Sequence, residues 1–123
     1  MAMVHGDSLE LLLRYPKREV CWAAHSLAEL YATLTAMPGV RRATPDEAVL
    51  FLGSLRERLT SIALNGSESV QAAELAAASG GIYDALIGQC FLKSQAEILY
   101  AWNLKHFLRL EGRVGERVRR PNG

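Results

Sequence analysis

Several features that mark particular classes of protein are missing from this sequence. No apolar run reaches about 18 residues, the length of a membrane-spanning helix, and no charged-then-apolar leader begins the chain. We therefore expect a soluble, cytoplasmic protein without a membrane partner. The two cysteines, Cys21 and Cys90, both fall in apolar stretches, and the Cys/His spacing of a zinc site is absent. We expect buried free thiols in a reducing compartment rather than a disulfide.

The chain also lacks a strong net charge, an internal repeat and a low-complexity segment. Its formal net charge is +1, so the overall composition does not indicate a nucleic-acid partner. Hydrophobic residues make up 50% of its 123 residues, which excludes a disordered chain. A chain of this length can build one hydrophobic core and not two, so we expect a single domain over residues 1–123.

What the sequence contains is a series of short apolar stretches that alternate with helical patterns. Thr44 followed by Pro45 is a typical helix start, Ser26 with Glu29 three residues later has the form of a capping box, and Ser67 is the expected cap of a later helix. Short strands alternating with helices predict an α/β domain with a mostly parallel sheet. The predicted strands are 19–24, 61–64 and 97–102, with a weaker edge-strand signal at 114–118, and the predicted helices are 9–14, 26–37, 44–59, 67–78, 83–92 and 103–110.

Three polar residues fall where parallel sheets bind ligands, beyond the carboxyl ends of the strands. Glu29 lies one turn into the helix after the first predicted strand, Asp84 opens the helix after Gly80-Gly81, and Asn103 follows strand 97–102. We interpret the glycine pair as a turn that other residues would make only with strain. Two carboxylates and an amide oxygen suit Mg²⁺ or Mn²⁺, which can activate water for attack on a phosphodiester. The alternative for Asp84 is a solvated acid at a helix start.

Histidine, tryptophan and arginine residues have both a functional and a structural interpretation. Histidine titrates near neutral pH, so His25 and His106 are candidates for acid–base chemistry or for local packing. Trp22 and Trp102 can stack on bases, but their apolar surroundings favour the core. The pair Arg41-Arg42 and the arginines of 113–120 can contact phosphates or simply be solvated surface residues.

Three segments together carry a resemblance to a known family. The segments 24–35 (AHSLAELYATLT), 81–87 (GIYDALI) and 100–107 (YAWNLKHF) resemble the PIN-domain ribonucleases, and in particular the virulence-associated toxins of bacterial type II toxin–antitoxin modules. The resemblance covers roughly residues 9–121. It implies a three-layer, PIN-like α/β fold, a Mg²⁺- or Mn²⁺-dependent endoribonuclease acting on single-stranded or loop RNA, and a cognate antitoxin as partner.

The resemblance also implies roles for individual residues. Glu29 and Asp84 would be the carboxylates of the metal site, and Asn103 falls where the family has an Asp or an Asn. The candidate RNA contacts are Arg41, Arg42, Lys105 and His106. Ala101 departs from the family pattern, which often has a hydroxyl side chain two residues before the position of Asn103.

A larger departure concerns the N-terminus. The family begins with a strand that ends in an Asp followed by Thr or Ser, whereas Asp7-Ser8 follows no apolar strand and is better explained as the cap of helix 9–14. We therefore expect a fold truncated at the N-terminus, without the central strand and its Asp. The flanking strands could then meet each other, pair with residues 1–5 as a stub, or pair across a dimer, and we favour a homodimer.

The missing carboxylate leaves two functions open. The first is a metal-dependent ribonuclease, with weak activity, that is the toxin of a toxin–antitoxin module. The alternative is a catalytically impaired PIN-like remnant that binds an antitoxin or RNA without cleaving it.

Overall fold

The computed structural model of the chain describes residues 1–4, 20–79, 81–101, 107 and 112–120. Over these residues it is an α/β structure whose elements follow the alternation expected from the sequence. The strands are β1 (Ala2–Val4), β2 (Val20–Ala23), β3 (Thr60–Ile62), β4 (Ile98–Tyr100) and β5 (Val118–Arg119), and the helices are α1 (His25–Ala36), α2 (Pro45–Arg58), α3 (Gly66–Ser79), α4 (Ile82–Ser94) and the single turn α5 (Gly112–Gly115), with a 3₁₀ turn at Gly39–Arg41.

The described strands form one parallel sheet in the order β3-β2-β1-β4-β5. We expected the central strand to be missing, and this is wrong. Ala2–Val4 is the central strand, between β2 and β4. Met3 is in register with Cys21 of β2 on one side and with Leu99 of β4 on the other. The three-residue strand satisfies the backbone groups of both neighbours, so the argument for a dimer from unpaired strand edges in the core no longer holds. Our interpretation that no apolar strand precedes Asp7-Ser8 is wrong as well, because β1 is buried and ends three residues before Asp7. Asp7 itself and the predicted helix 9–14 lie outside the described residues.

Side chains alternate between the two faces of the sheet and so assign the helices to two layers. Cys21 and Ala23 belong to the larger core cluster, which includes Ala85 and Phe91 of α4. Trp22 points to the other face and packs with Leu55 of α2, Leu59 and, more loosely, residues of α1. Helices α1 and α2 therefore cover one face, and α3, α4 and α5 contribute to the other. The core interpretation of Trp22 is confirmed, since the side chain is only 2% exposed.

Helix starts follow the expected chemistry at α2 and depart from it at two other helices. Thr44 and Glu47 form the complete reciprocal capping box of α2. At α3 the reciprocal bonds join Asn65 and Glu68, so Asn65 and not Ser67 caps this helix. The predicted box at Ser26 is wrong as well, because α1 begins at His25 and its cap position lies two residues before Ser26. Its cap position falls on Ala24, which has no side-chain donor or acceptor.

Helices α1 and α2 form an antiparallel hairpin that is attached to the sheet at one end. The Ala43 N–H donates to the Leu34 carbonyl at 3.0 Å, which closes the far end of the hairpin. Near that end Val49, Leu50 and Phe51 are exposed by 60%, 74% and 43%. Ala48 and Leu55 are the buried residues of α2, and Phe51 is exposed although it shares their helical spacing.

The two cysteines are buried free thiols, as predicted. Burial raises the pKa of the Cys21 thiol, and it raises the pKa of Cys90 to about 11. The thiolate is the nucleophilic form of cysteine, so neither residue is suited to nucleophilic chemistry near neutral pH. Within the described residues, no helix is long and apolar enough to cross a membrane.

A polar network joins the loop after β3 to the last turn of α4. The Lys93 ammonium donates to the Ala63 carbonyl and to Glu68 Oε1, both at 2.7 Å, and Glu68 also accepts from the Asn65 N–H at 2.9 Å. The hydrogen bond from Asn65 and that from Lys93 lower the pKa of the Glu68 carboxyl below its usual 4.5. The network thus connects α3, α4 and the edge of the sheet through one carboxylate.

The central place of β1 predicts a large effect of truncating its middle side chain. Met3 is fully buried, so Met3→Ala should lower the free energy of unfolding by about 2–5 kcal/mol in urea denaturation, through lost burial and the cavity left behind. Val40, which is fully exposed, provides the control, and Val40→Ala should change stability by no more than about 0.5 kcal/mol. Equal, small effects of both substitutions would show that Ala2–Val4 is not the central strand.

The lowered pKa of Glu68 predicts how stability responds to acid. A carboxylate whose folded-state pKa lies below 4.5 stabilises the fold above that pH and loses this contribution as the pH falls through its folded value. Melting temperature followed from pH 7 downwards should therefore drop more in the wild type than in Glu68→Gln. Glu57→Gln, which removes an exposed carboxylate of α2 outside this network, should retain the wild-type slope. Parallel curves for wild type and Glu68→Gln would contradict the assignment.

Candidate functional site

The carboxyl edge of the sheet is the part of the fold where a ligand site is expected. All the described strands are parallel, so the residues that follow β1, β2, β3 and β4 emerge at the same edge. Strands β1, β2 and β3 follow one another in one direction across the sheet. Strand β4 then lies on the other side of β1. Parallel α/β sheets bind ligands at such a reversal point, which here lies between β1 and β4.

Helix α1 begins at this edge, directly after β2. Because the helix starts at His25 and not at Ser26, Glu29 lies beyond its first turn and takes no part in capping. Its Oε1 atom is instead 3.7 Å from Nε2 of His25, and its side chain is 49% exposed. The local sequence therefore leaves the Glu29 carboxylate accessible at the edge of the sheet, beside an imidazole that can carry a positive charge.

Helix α4 also begins at this edge. Three residues separate the end of α4 from the start of β4, so α4 runs back along the sheet towards the beginning of that strand. Leu86, in the first half of α4, lines the same cavity as Ala24 and His25, which follow β2. Asp84 therefore occupies the first turn of a helix whose N-terminus faces the carboxyl edge, where the helix dipole favours a negative charge. Glu29 and Asp84 come from the two opposite helix layers and approach this edge from either side of the sheet.

Gly81 immediately precedes α4 and lies in its cap position. We expected the glycine pair to provide a strained turn, and for Gly81 this is wrong, since its φ of −104° and ψ of 113° are ordinary extended values. Gly80 lies outside the described residues. What distinguishes Gly81 is the Asp84 carboxylate: a Cβ added to Gly81 would lie 2.9 Å from Asp84 Oδ2. Sequence reasoning missed this close approach, although a Gly three residues before an acid was visible.

A small cavity lies between α1 and α4 at the carboxyl ends of β2 and β3. Its volume is about 230 Å³, and it is lined by Ala24, His25, Ile62, Ala63, Leu64, Ser69 and Leu86. This is smaller than the roughly 300–1,000 Å³ of a typical small-molecule pocket, and neither predicted carboxylate lines it. This cavity therefore gives no support to an enclosed small-molecule site that contains the predicted carboxylates.

The donor atoms at this edge suit a divalent metal in kind but form an incomplete set. Glu29 and Asp84 supply carboxylate oxygens, the ligands that Mg²⁺ and Mn²⁺ prefer. Among the residues that the structure describes, no three His, Cys, Asp or Glu side chains gather closely enough to hold a metal ion. Within the described residues, the pair His25 and Glu29 therefore has no third His, Cys, Asp or Glu side chain close enough to complete a metal site. Asn103, the third ligand expected from the sequence, lies outside the described residues.

Of the predicted RNA contacts, the structure describes Arg41 and Arg42, which lie away from the helix starts that carry the carboxylates. Arg41 and Arg42 lie at the far end of the α1–α2 hairpin, about 18 Å along α1 from its start at 1.5 Å per residue. Arg42 is engaged there, since its Nε donates to the Met37 carbonyl at 2.9 Å. Lys105, His106 and Trp102 lie outside the described residues, so these assignments stay predictions.

The arginines near the C-terminus include one with a structural role. The Arg117 guanidinium lies 5.4 Å from the centre of the Phe91 ring and donates to the Ala96 carbonyl at 3.2 Å. It thereby ties the start of β5 to α4, which accounts for this residue without a nucleic-acid ligand. Val118 does form the edge strand that the sequence indicated weakly, whereas Val114 lies in the helical turn α5.

Comparison with known proteins supports the fold through structure and not through sequence. No protein-family model and no curated protein sequence matches this chain. The structure is similar to the crystal structure of VapC20 from Mycobacterium tuberculosis, a toxin that cleaves the sarcin–ricin loop. The match has a TM-score of 0.66 at 16% sequence identity and covers 86% of this chain and 92% of VapC20. At this identity the likeness establishes the fold, and the chain therefore has the PIN-domain fold of the VapC toxins.

Proposed function

We propose that this protein is an RNA-cleaving toxin of a toxin–antitoxin module. The observation that carries the proposal is the placement of Glu29 and Asp84 on either side of the carboxyl edge of a fold shared with VapC20. The three sequence segments that resemble PIN-domain ribonucleases contain Glu29, Asp84 and Asn103, so the sequence and the fold point to the same edge. The substrate would be single-stranded or loop RNA.

Mg²⁺ or Mn²⁺ is the expected cofactor, held by Glu29, Asp84 and Asn103. When bound, such an ion lowers the pKa of a coordinated water and stabilises negative charge on phosphoryl oxygens. The chain itself would contribute the two carboxylates and the positive end of the α4 dipole. Magnesium usually retains several waters and uses one or two protein carboxylates together with substrate phosphates, so two carboxylates are enough to position it.

A second candidate is a PIN-fold protein that binds an antitoxin or RNA without cleaving it. It is consistent with the described part of the N-terminus, where the central strand Ala2–Val4 contains no carboxylate; the next acid in the sequence, Asp7, lies outside the described residues. It is also consistent with the lack of a group of three ligating side chains in the described part of the chain. Metal binding and cleavage must therefore be measured separately.

A cognate antitoxin and a homodimer are the expected protein partners. A groove between α1 and α2 would be lined by Leu30, Leu34, Phe51 and Leu55. Leu55 is buried against Trp22 and is unavailable to a partner, whereas Phe51 is exposed next to Leu50 and Val49. These three consecutive residues, 49–51, present apolar side chains over a wide arc of α2 at the projecting part of the hairpin. Such a surface is suited to an apolar partner helix or to a second copy of the chain.

The metal assignment predicts a metal-dependent gain in stability that requires Asp84. A ligand that binds only the native state raises the melting temperature, so Mn²⁺ should do so in the wild type. Asp84→Asn should remove most of this shift, and Glu29→Gln should reduce it. Asp46→Asn is the matched control, because Asp46 is also a first-turn acid but belongs to α2. An equal shift in wild type and Asp84→Asn would place the ion elsewhere.

Cleavage of a mixed RNA pool in Mn²⁺ then separates the two candidate functions. Cleavage that is lost in Asp84→Asn and retained in Asp46→Asn would support the toxin. A metal-dependent shift in melting temperature without cleavage would favour the non-cleaving protein.

The partner assignment predicts that residues 49–51 are needed for association. The chain should be dimeric in size-exclusion chromatography with light scattering, and it should copurify with the product of an adjacent small open reading frame. Leu50→Glu should weaken copurification, because it places a charge in the proposed interface. Val70→Glu is the control, since Val70 is similarly exposed, by 59%, but lies on α3. A wild-type monomer that captures no partner would contradict both assignments.

A further inference from the structure

The backbone at Gly81 does not require a glycine. Its φ of −104° and ψ of 113° lie in the extended region that every residue adopts. Gly39 is the contrasting case, because its φ of +63° falls in the left-handed region that favours glycine. Another reason is needed for the missing side chain at Gly81.

The side chain of Asp84 provides that reason. A Cβ on Gly81 would lie 2.9 Å from Asp84 Oδ2, 3.7 Å from its Cγ and 3.8 Å from its Cβ. The first distance is shorter than real Cβ contacts, so an alanine at Gly81 could not coexist with the present position of the carboxylate. At Gly39, Gly53 and Gly66 an added Cβ would meet nothing within 4 Å. The conflict at Gly81 is therefore specific to Asp84.

The effect of adding a side chain at position 81 depends on which atoms can move to relieve the close contact. The atom in conflict is a terminal oxygen of a short side chain, and it can move away by rotation about the Asp84 side-chain bonds without a shift of the helix backbone. An alanine would consequently leave α4 folded and displace the carboxylate. We propose that Gly81 is a positioning residue, whose missing Cβ permits the Asp84 carboxylate to lie over the first turn of α4.

The consequence for metal binding rests on the proposed function. If Asp84 binds a divalent ion, the space left by the missing Cβ of Gly81 determines where the carboxylate oxygens of Asp84 can contact that ion. Residues that orient a metal ligand typically change metal affinity by about 10- to 100-fold when they are replaced, and we expect a loss of this size in Gly81→Ala. Gly81 itself has no side chain that could bind the metal, so its effect would pass through Asp84.

The experiment compares Gly81→Ala with Gly53→Ala in two measurements. Gly53 lies inside α2 with free space around it, so alanine there should raise the melting temperature slightly and leave Mn²⁺ affinity unchanged. In metal-free protein, the ¹³C resonance of the Asp84 side-chain carboxyl, identified by its loss in Asp84→Asn, should move in Gly81→Ala and stay in place in Gly53→Ala. Mn²⁺ affinity, measured by electron paramagnetic resonance, should fall in Gly81→Ala. In the Asp84→Asn background, Gly81→Ala should cause no further loss.

These readouts separate failure of this inference from failure of the proposed function. An unmoved Asp84 resonance in folded Gly81→Ala would overturn the positioning role, whatever the metal does. A moved resonance in a protein whose wild type binds no Mn²⁺ would uphold the positioning role and overturn the metal site. Equal Mn²⁺ affinity in Gly81→Ala and wild type, together with a moved resonance, would show that the position of the Asp84 carboxylate does not govern metal binding.

Discussion

The backbone pairing of β1 on both sides is the constraint on which the rest of the structure depends. The described strands have only two to four residues, so none contributes many hydrogen bonds by itself. Met3 joins Cys21 and Leu99 into one continuous register, and the Glu97 N–H donates to the Met1 carbonyl at 2.9 Å just before β4. Without this strand β2 and β4 would expose unpaired groups in the interior, each at a cost of about 1–3 kcal/mol. The same strand creates the reversal point at which a ligand site is expected.

The alternation of side chains along β2 distributes the candidate chemistry over both faces of the sheet. Trp22 packs against α1 and α2 on one face, and Cys21 and Ala23 pack against α4 on the other. Because both α1 and α4 begin at the carboxyl edge, Glu29 and Asp84 approach it from opposite layers. The buried thiols offer no competing nucleophile, since desolvation raises the pKa of both Cys21 and Cys90. Among the described residues, the polar groups at this edge include the carboxylates of Glu29 and Asp84 and the imidazole of His25.

The sequence predicted the elements whose signals are local and missed those that depend on distant contacts. β2, β3 and β4 lie within two residues of their predicted bounds, because each is a short apolar stretch next to a recognisable helix start. Residues 2–4 carry too few side chains to show alternation, and only pairing with β2 and β4 makes them a strand. Likewise, Ser26 has the residue type of a cap, but the helix begins where the chain leaves β2, at His25, with Ala24 in the cap position. The positions of Glu29 and Asp84 could be predicted from strand order, whereas the contact between Gly81 and Asp84 required coordinates.

A comparison of three helix starts shows how the first turn of α4 differs from those of α2 and α3. Glu47 of α2, Glu68 of α3 and Asp84 of α4 each lie three residues after the cap position. The first two form reciprocal hydrogen bonds with Thr44 and Asn65, and these bonds lower the pKa of both glutamates. Gly81 has no side chain with which to complete such a pair, so the reciprocal box cannot form at α4. The missing side chain at Gly81 removes the acceptor that Thr44 and Asn65 offer to the backbone N–H of the acid in their helices. The carboxylates of Glu47 and Glu68 accept from the backbone N–H of the cap residue, a donor that glycine also has, so the first turn of α4 differs from the other two in its cap and not in its acid.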